Sequence, residues 1–94
     1  MGEELCICVD HGCAVLDVIV EHPVYGQLAG QLRVRTRYDV NQFLELVARD
    51  SARGLAELTN GIHLHTLRCP DEAAFQRVRR ELDRKGFLVK SETD

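Results

Sequence analysis

The pair His63-Leu64-His65 is the part of this 94-residue chain best equipped for chemistry. It follows Asn60-Gly61, a dipeptide that favours a hairpin turn because both residues tolerate positive φ. The residues after it are therefore expected to form a strand. Side chains alternate along a strand, so His63 and His65 share one face, roughly 7 Å apart at their Cα atoms. Ile62, Leu64 and Thr66 take the other face. Two neutral imidazoles at that spacing can hold one divalent ion. The same spacing also fits two exposed polar residues on the wet side of a half-buried strand.

The elements that must position the pair read as a compact α+β pattern. Residues 3–10 are expected as a short helix ended by Gly12. The β-branched run Val15-Leu16-Asp17-Val18-Ile19-Val20 predicts a well-buried strand over residues 15–22, with Leu16, Val18, Val20 and His22 on one face. Pro23-Val24-Tyr25-Gly26 is a turn. Residues 27–36 alternate, with Leu28, Gly30, Leu32 and Val34 inward and Gln27, Gln31, Arg33 and Arg35 outward, as in an antiparallel strand with one wet face. A helix is expected over residues 39–50, with Asp39 as its N-cap and Gln42 completing a capping box. Its Val40, Phe43, Leu44 and Val47 follow the i, i+3, i+4, i+7 rule. Residues 55–59 read as a strand leading through Asn60-Gly61 into the histidine strand. A second helix follows Pro70-Asp71, with Ala74, Phe75, Val78 and Leu82 on one face and Gly86 at its C′ position. Phe87-Leu88-Val89 reads as a last strand. The order (α)-ββα-ββα-β implies a mainly antiparallel sheet with helices packed on one face.

Composition bounds what such a domain can do. Ninety-four residues make one small domain, 1–94, with one core. A net charge of −3 argues against a free-standing nucleic-acid binder. No apolar run approaches membrane-spanning length and no signal-peptide pattern opens the chain, so the expected location is cytoplasmic. Cys6, Cys8, Cys13 and Cys69 form no C-x-x-C spacing and read as small buried apolar residues, with a thiolate or redox site as the other reading.

Two long stretches carry a resemblance. Leu16-Asp17-Val18-Ile19-Val20-Glu21-His22-Pro23-Val24-Tyr25-Gly26 resembles the opening signature of the three-histidine (3H) domain. Gly61-Ile62-His63-Leu64-His65-Thr66, with Cys69-Pro70-Asp71-Glu72 and Arg84-Lys85-Gly86-Phe87-Leu88, resembles its second half. The resemblance spans residues 3–89. In that family the domain is the effector-binding part of bacterial repressors of NAD biosynthesis. A winged helix reads DNA, while the 3H domain forms a homodimer, holds a divalent metal and senses nicotinic acid. The resemblance implies that His63 and His65 are metal ligands, that Glu4 supplies a carboxylate, and that His22 lines the ligand pocket; Tyr25, in the turn beside it, is a candidate to stack on a pyridine ring. The family pattern has one further histidine before the first helix, which these 94 residues do not include. The expected chain is thus a domain of a longer repressor whose winged helix lies elsewhere.

Each residue also has a plainer reading. Glu4 can be a solvated carboxylate near a helix N-terminus, where negative charge is favourable. His22 can be a satisfied core histidine and Tyr25 a packing residue in a turn. His11, two helical turns from Glu4, is a poor substitute ligand. Arg77, Arg79, Arg80, Arg84 and Lys85 alternate with Glu81 and Asp83 as a charged helix face. Two imidazoles and a carboxylate suit nickel, zinc or iron(II) better than magnesium or calcium. A small metal-dependent hydrolase or oxygenase is the alternative in a different class, and a plain dimerisation module is another. No general base or nucleophile stands in a recognisable motif, so the expectation is a non-enzymatic sensor.

Overall fold

The computed structural model describes residues 2–22, 24–49 and 63–89. Helix α1 (Gly2–Asp10) leads into β1 (Ala14–His22) and β2 (Gly26–Val34), followed by α2 (Arg37–Arg49). Strands β3 (His63–Leu64) and β4 (Leu67–Arg68) precede α3 (Glu72–Arg84). The expected strand over residues 55–59 and the Asn60-Gly61 turn lie outside the described residues. No helix among the described residues is long and apolar enough to cross a membrane.

The strand β1 is the axis of the sheet. It pairs antiparallel with β2 along one edge and with both β3 and β4 along the other. Its register slips on both sides near Leu16. Val15 faces Val34 while Asp17 faces Gln31, so two residues of β2 oppose one of β1. Arg33, one of the two, takes the extra length with φ +53°, a left-handed conformation that one class of bulge uses. The slip re-phases β1. Val15, Val18 and Val20 are all buried, whereas strict alternation put Leu16 in the buried set. On the other edge Leu64 faces Ile19 and Leu67 faces Val15. Three β1 residues there oppose two, and the single strand expected through His65 is split into β3 and β4. The Thr66 amide donates to the Asp17 carboxylate (2.9 Å) in place of a ladder bond.

Helix α1 packs on β1 and touches both α2 and α3. The core joins Leu5, Cys8, Cys13, Val15, Val34, Val40, Ala74 and Val78. This is the stacked layer of helices that the sequence pattern implied. The start of α2 differs from expectation. The helix begins at Arg37, and the Thr36 hydroxyl accepts the Asp39 amide (3.1 Å). Asp39 is the third helical residue, and its carboxylate reaches back to the Arg35 amide (3.0 Å). Both are competent capping residues, and the arrangement that satisfies two amides at once, those of Asp39 and Arg35, wins. For α3 the cap is as expected: Asp71 accepts the Ala74 amide at 2.7 Å.

Two helices close with the same device. Gly12 (φ +85°) and Gly86 (φ +77°) occupy the C′ positions of α1 and α3. After α1 the Cys13 amide donates to the Cys8 carbonyl and the Gly12 amide to Val9. After α3 the Phe87 amide donates to Leu82 and the Gly86 amide to Asp83. These are Schellman turns. The second one corrects the expected strand over residues 87–89, which is irregular and exposed. The amide of Phe87 is consumed by the helix end, and the turn directs Phe87, Leu88 and Val89 toward the face of α3. A Cβ at Gly86 would meet nothing within 4 Å, so Gly86→Ala isolates the backbone cost of positive φ. That substitution is expected to lower stability by about 1–2 kcal/mol, read as a shift in the urea midpoint at unchanged slope.

Candidate metal centre

Glu4 stands in the first turn of α1, where negative charge is favoured. Cys8 follows four residues on, so the two share a helix face and both line one cavity. Opposite them, the splitting of β3 from β4 releases His65 from the ladder. The His65 Nδ1 lies 2.7 Å from the Asp17 carbonyl oxygen. A carbonyl only accepts, so Nδ1 carries the proton and donates. The other nitrogen, Nε2, is thereby left with its lone pair in the neutral ring. It is buried, and it makes no hydrogen bond.

The three side chains converge. His63 Nε2 lies 2.7 Å from Glu4 Oε1, and His65 Nε2 lies 3.7 Å from the same oxygen. The two imidazoles meet edge to face with centroids 4.8 Å apart. Side-chain exposures are 17% for Glu4, 10% for His63 and 12% for His65, so all three are largely out of water. One ligand atom from each lies within 4.8 Å of the others, and no second such group of three exists among the described residues. The histidines thus face inward, and Leu64 between them faces out.

Electrostatics follow from this packing. Burial pushes the Glu4 pKa up, but the two imidazoles beside it outweigh burial and hold it below the ordinary 4.5. Burial pushes His65 down, but the Glu4 carboxylate and the Asp17 carbonyl outweigh that and raise it above 6.5. At 3.7 Å the Glu4–His65 attraction is one of charge rather than a hydrogen bond. A cluster whose groups each favour the other's charge can hold a proton or a cation at the same place.

The cavity beside the triad has a volume of about 630 Å³. Phe75, Val78, Arg79 and Leu82 of α3 form one wall, and Phe87 and Leu88 form its lip. No ion pair of Arg79 is found among the described residues. Tyr25 stands in the β1–β2 turn, 74% exposed and not among the lining residues. His22 ends β1, paired with Gly26; its side chain lies outside the described residues. His11 follows α1 and is not in the cluster. Asp17 was missed by the sequence reading, where it was one acidic residue in an apolar run. An acidic residue inside a strand that should be fully buried was the available signal.

A small antiparallel α+β domain with a partly buried carboxylate–diimidazole cluster is the class that fold and site define. The family model describing the 3H domain matches residues 1–91. The chain belongs to the 3H domain family. It is 44% identical over 87 residues to the "Probable transcription repressor NiaR" of Thermotoga maritima, covering 93% of this chain and 50% of that protein. It is 43% identical over 88 residues to the "Transcription repressor NadR" of Bacillus subtilis, covering 94% of this chain and 49% of that protein. The chain spans about half the length of these curated relatives. Both are named as transcription repressors.

Proposed function

We propose that this domain is the metal-containing, nicotinate-sensing and dimerising part of a cytoplasmic transcription repressor of NAD biosynthesis or niacin uptake. The observation that carries the reading is the unpartnered, buried Nε2 of His65, facing Glu4 and His63 at the edge of a cavity. A buried imidazole nitrogen without a partner is costly unless something binds it. The donor set of two imidazoles and one carboxylate fits nickel, zinc or iron(II). Glu4, His63 and His65 would hold the ion, which supplies a position for the carboxylate or ring nitrogen of the effector. Asp17 fixes the His65 ring so that Nε2 faces the cluster, the role that outer-sphere partners of metal-binding histidines usually take. Phe75 and Phe87 offer apolar ring surface, and Arg79 is a cation on the wall that suits an anionic ligand. His22 remains a proposed pocket residue from the family resemblance, and Tyr25 a proposed stacking surface from its own chemistry. DNA contact in this reading belongs to a winged helix, whose spacing in a homodimer the effector would set.

The test is a thermal shift on metal-loaded protein. A ligand that binds only the folded state stabilises it by about 2.7 kcal/mol at a hundredfold excess over Kd. For a domain of this size that raises Tm by about 10 °C or more. Nicotinate is expected to do so, and nicotinamide, which lacks the charged carboxylate, far less. Equal shifts with both ligands, or none with either, would move the reading to a plain dimerisation module.

A further inference from the structure

We infer that Cys13 and Cys69 form a reversible disulfide, a modification site that ties the α1–β1 connection to the β4–α3 connection. The two sulfurs lie 2.7 Å apart, although the residues are 56 positions apart in the chain. Strand register places them there. Ala14 faces Arg68 and Val15 faces Leu67, so the next pair outward is Cys13 with Cys69. The Leu16 amide donates to the Thr66 carbonyl (2.8 Å), which marks that pair as hydrogen-bonded. Counting outward, residues 13 and 69 fall at a non-hydrogen-bonded position, where the Cα atoms are about 4.5 Å apart and side chains approach most closely. That separation lies within the range a disulfide spans.

The surroundings favour a bridge over a metal. No third ligand joins the two thiols in a metal-holding group among the described residues. The thiols also differ. Cys13 is buried in the core at 1% exposure, and burial with the adjacent Cys69 thiol pushes its pKa up to about 12. Cys69 is only half buried. Cys69 is therefore the sulfur that meets an oxidant, and Cys13 is the one that resolves the adduct. With a low-molecular-weight disulfide such as oxidised glutathione, the Cys69 thiolate attacks one sulfur and releases one glutathione thiol. Cys13 then attacks the Cys69 sulfur of the mixed disulfide and releases the second. Two electrons pass to glutathione, and the two protein thiol protons end on the two glutathione thiols. In a reducing compartment the dithiol is the resting form, and the bridge appears under oxidising conditions.

The inference is independent of the metal reading. The test is to equilibrate the intact chain in glutathione buffers of rising oxidised fraction, block free thiols, and map linked peptides by mass spectrometry. The expected result is loss of two hydrogens from the chain, a peptide joining Cys13 to Cys69, and a Tm rise on the order of 10 °C from closing the long loop. Cys69→Ser and Cys13→Ser should each abolish the linked peptide and the rise, and Cys6→Ser should keep both. The wild-type map decides the matter even where Cys13→Ser does not fold. A stable glutathione adduct on Cys69 without internal linkage, a bridge between any other pair, or thiols that stay free at every ratio would overturn the inference.

Discussion

The double substitution His63→Ala with His65→Ala is expected to reduce bound nickel or zinc from near one equivalent to near zero, measured by elemental analysis after gel filtration. The two imidazoles are two of the three converging donors, and Glu4 alone offers only a lone carboxylate. Glu4→Gln should weaken uptake less than the double change, because both imidazoles remain. An unchanged metal content in the double variant would rule the site out. Protons compete with the ion for the same nitrogens, so uptake should fall as pH drops below about 6.5. The raised pKa of His65 moves the onset of that loss upward.

The metal-free protein should show the opposite slope near neutrality. A histidine with a raised folded pKa contributes stability below its ordinary 6.5 and loses it as pH rises through the raised value. Glu4, held below 4.5, contributes stability above that pH and loses it as pH falls through its lowered value. Both contributions are present together between pH 4.5 and 6.5. Melting temperature without metal should therefore decline from about pH 6 to pH 8, while the metal-loaded protein holds or gains. Parallel profiles with and without metal would show that the ion does not replace the proton at this cluster.

Leu5→Ala is expected to produce the largest loss of stability. Leu5 is fully buried, next to Glu4, in the helix that packs on β1, α2 and α3. Truncating a core leucine costs about 2–5 kcal/mol, against roughly 5–14 kcal/mol in total for a domain of this length. Tm should fall by about 10 °C or more. The substitution also loosens the seat of Glu4, so metal retention should drop with it. Leu64→Ala is the comparison, since Leu64 is 61% exposed and an exposed change of this kind costs about 0.5 kcal/mol or less. Equal losses from the two substitutions would mean that α1 is not the keystone of the core.

Much of this was legible in the residues. Alternation marked the inward face of β2, the 3.6 period marked the buried faces of α2 and α3, and glycine marked both helix ends. His63 and His65 declared a shared face by spacing alone. That they meet Glu4 came from the family resemblance, because no local pattern connects residues 59 positions apart. The remainder was hidden for identifiable reasons. Thr36 and Asp39 are both good caps, and only the joint satisfaction of the Asp39 and Arg35 amides decides between them. Phe87-Leu88-Val89 has the apolar character of a strand, but the Schellman turn at Gly86 uses its first amide. The bulge at Arg33 and the break at His65 arise from register slips on both edges of β1, which periodicity does not encode.

The distance in sequence between Glu4 and the histidines has a kinetic consequence. The cluster cannot exist in any partly folded chain that has formed only its local helices and the β1–β2 hairpin. Its donors meet only after α1 and the histidine segment have docked, a contact of high sequence separation and hence slow to form. An ion arriving early finds isolated imidazoles that hold it weakly. For the metal site proposed above, tight capture would therefore wait until α1 has docked beside the histidines.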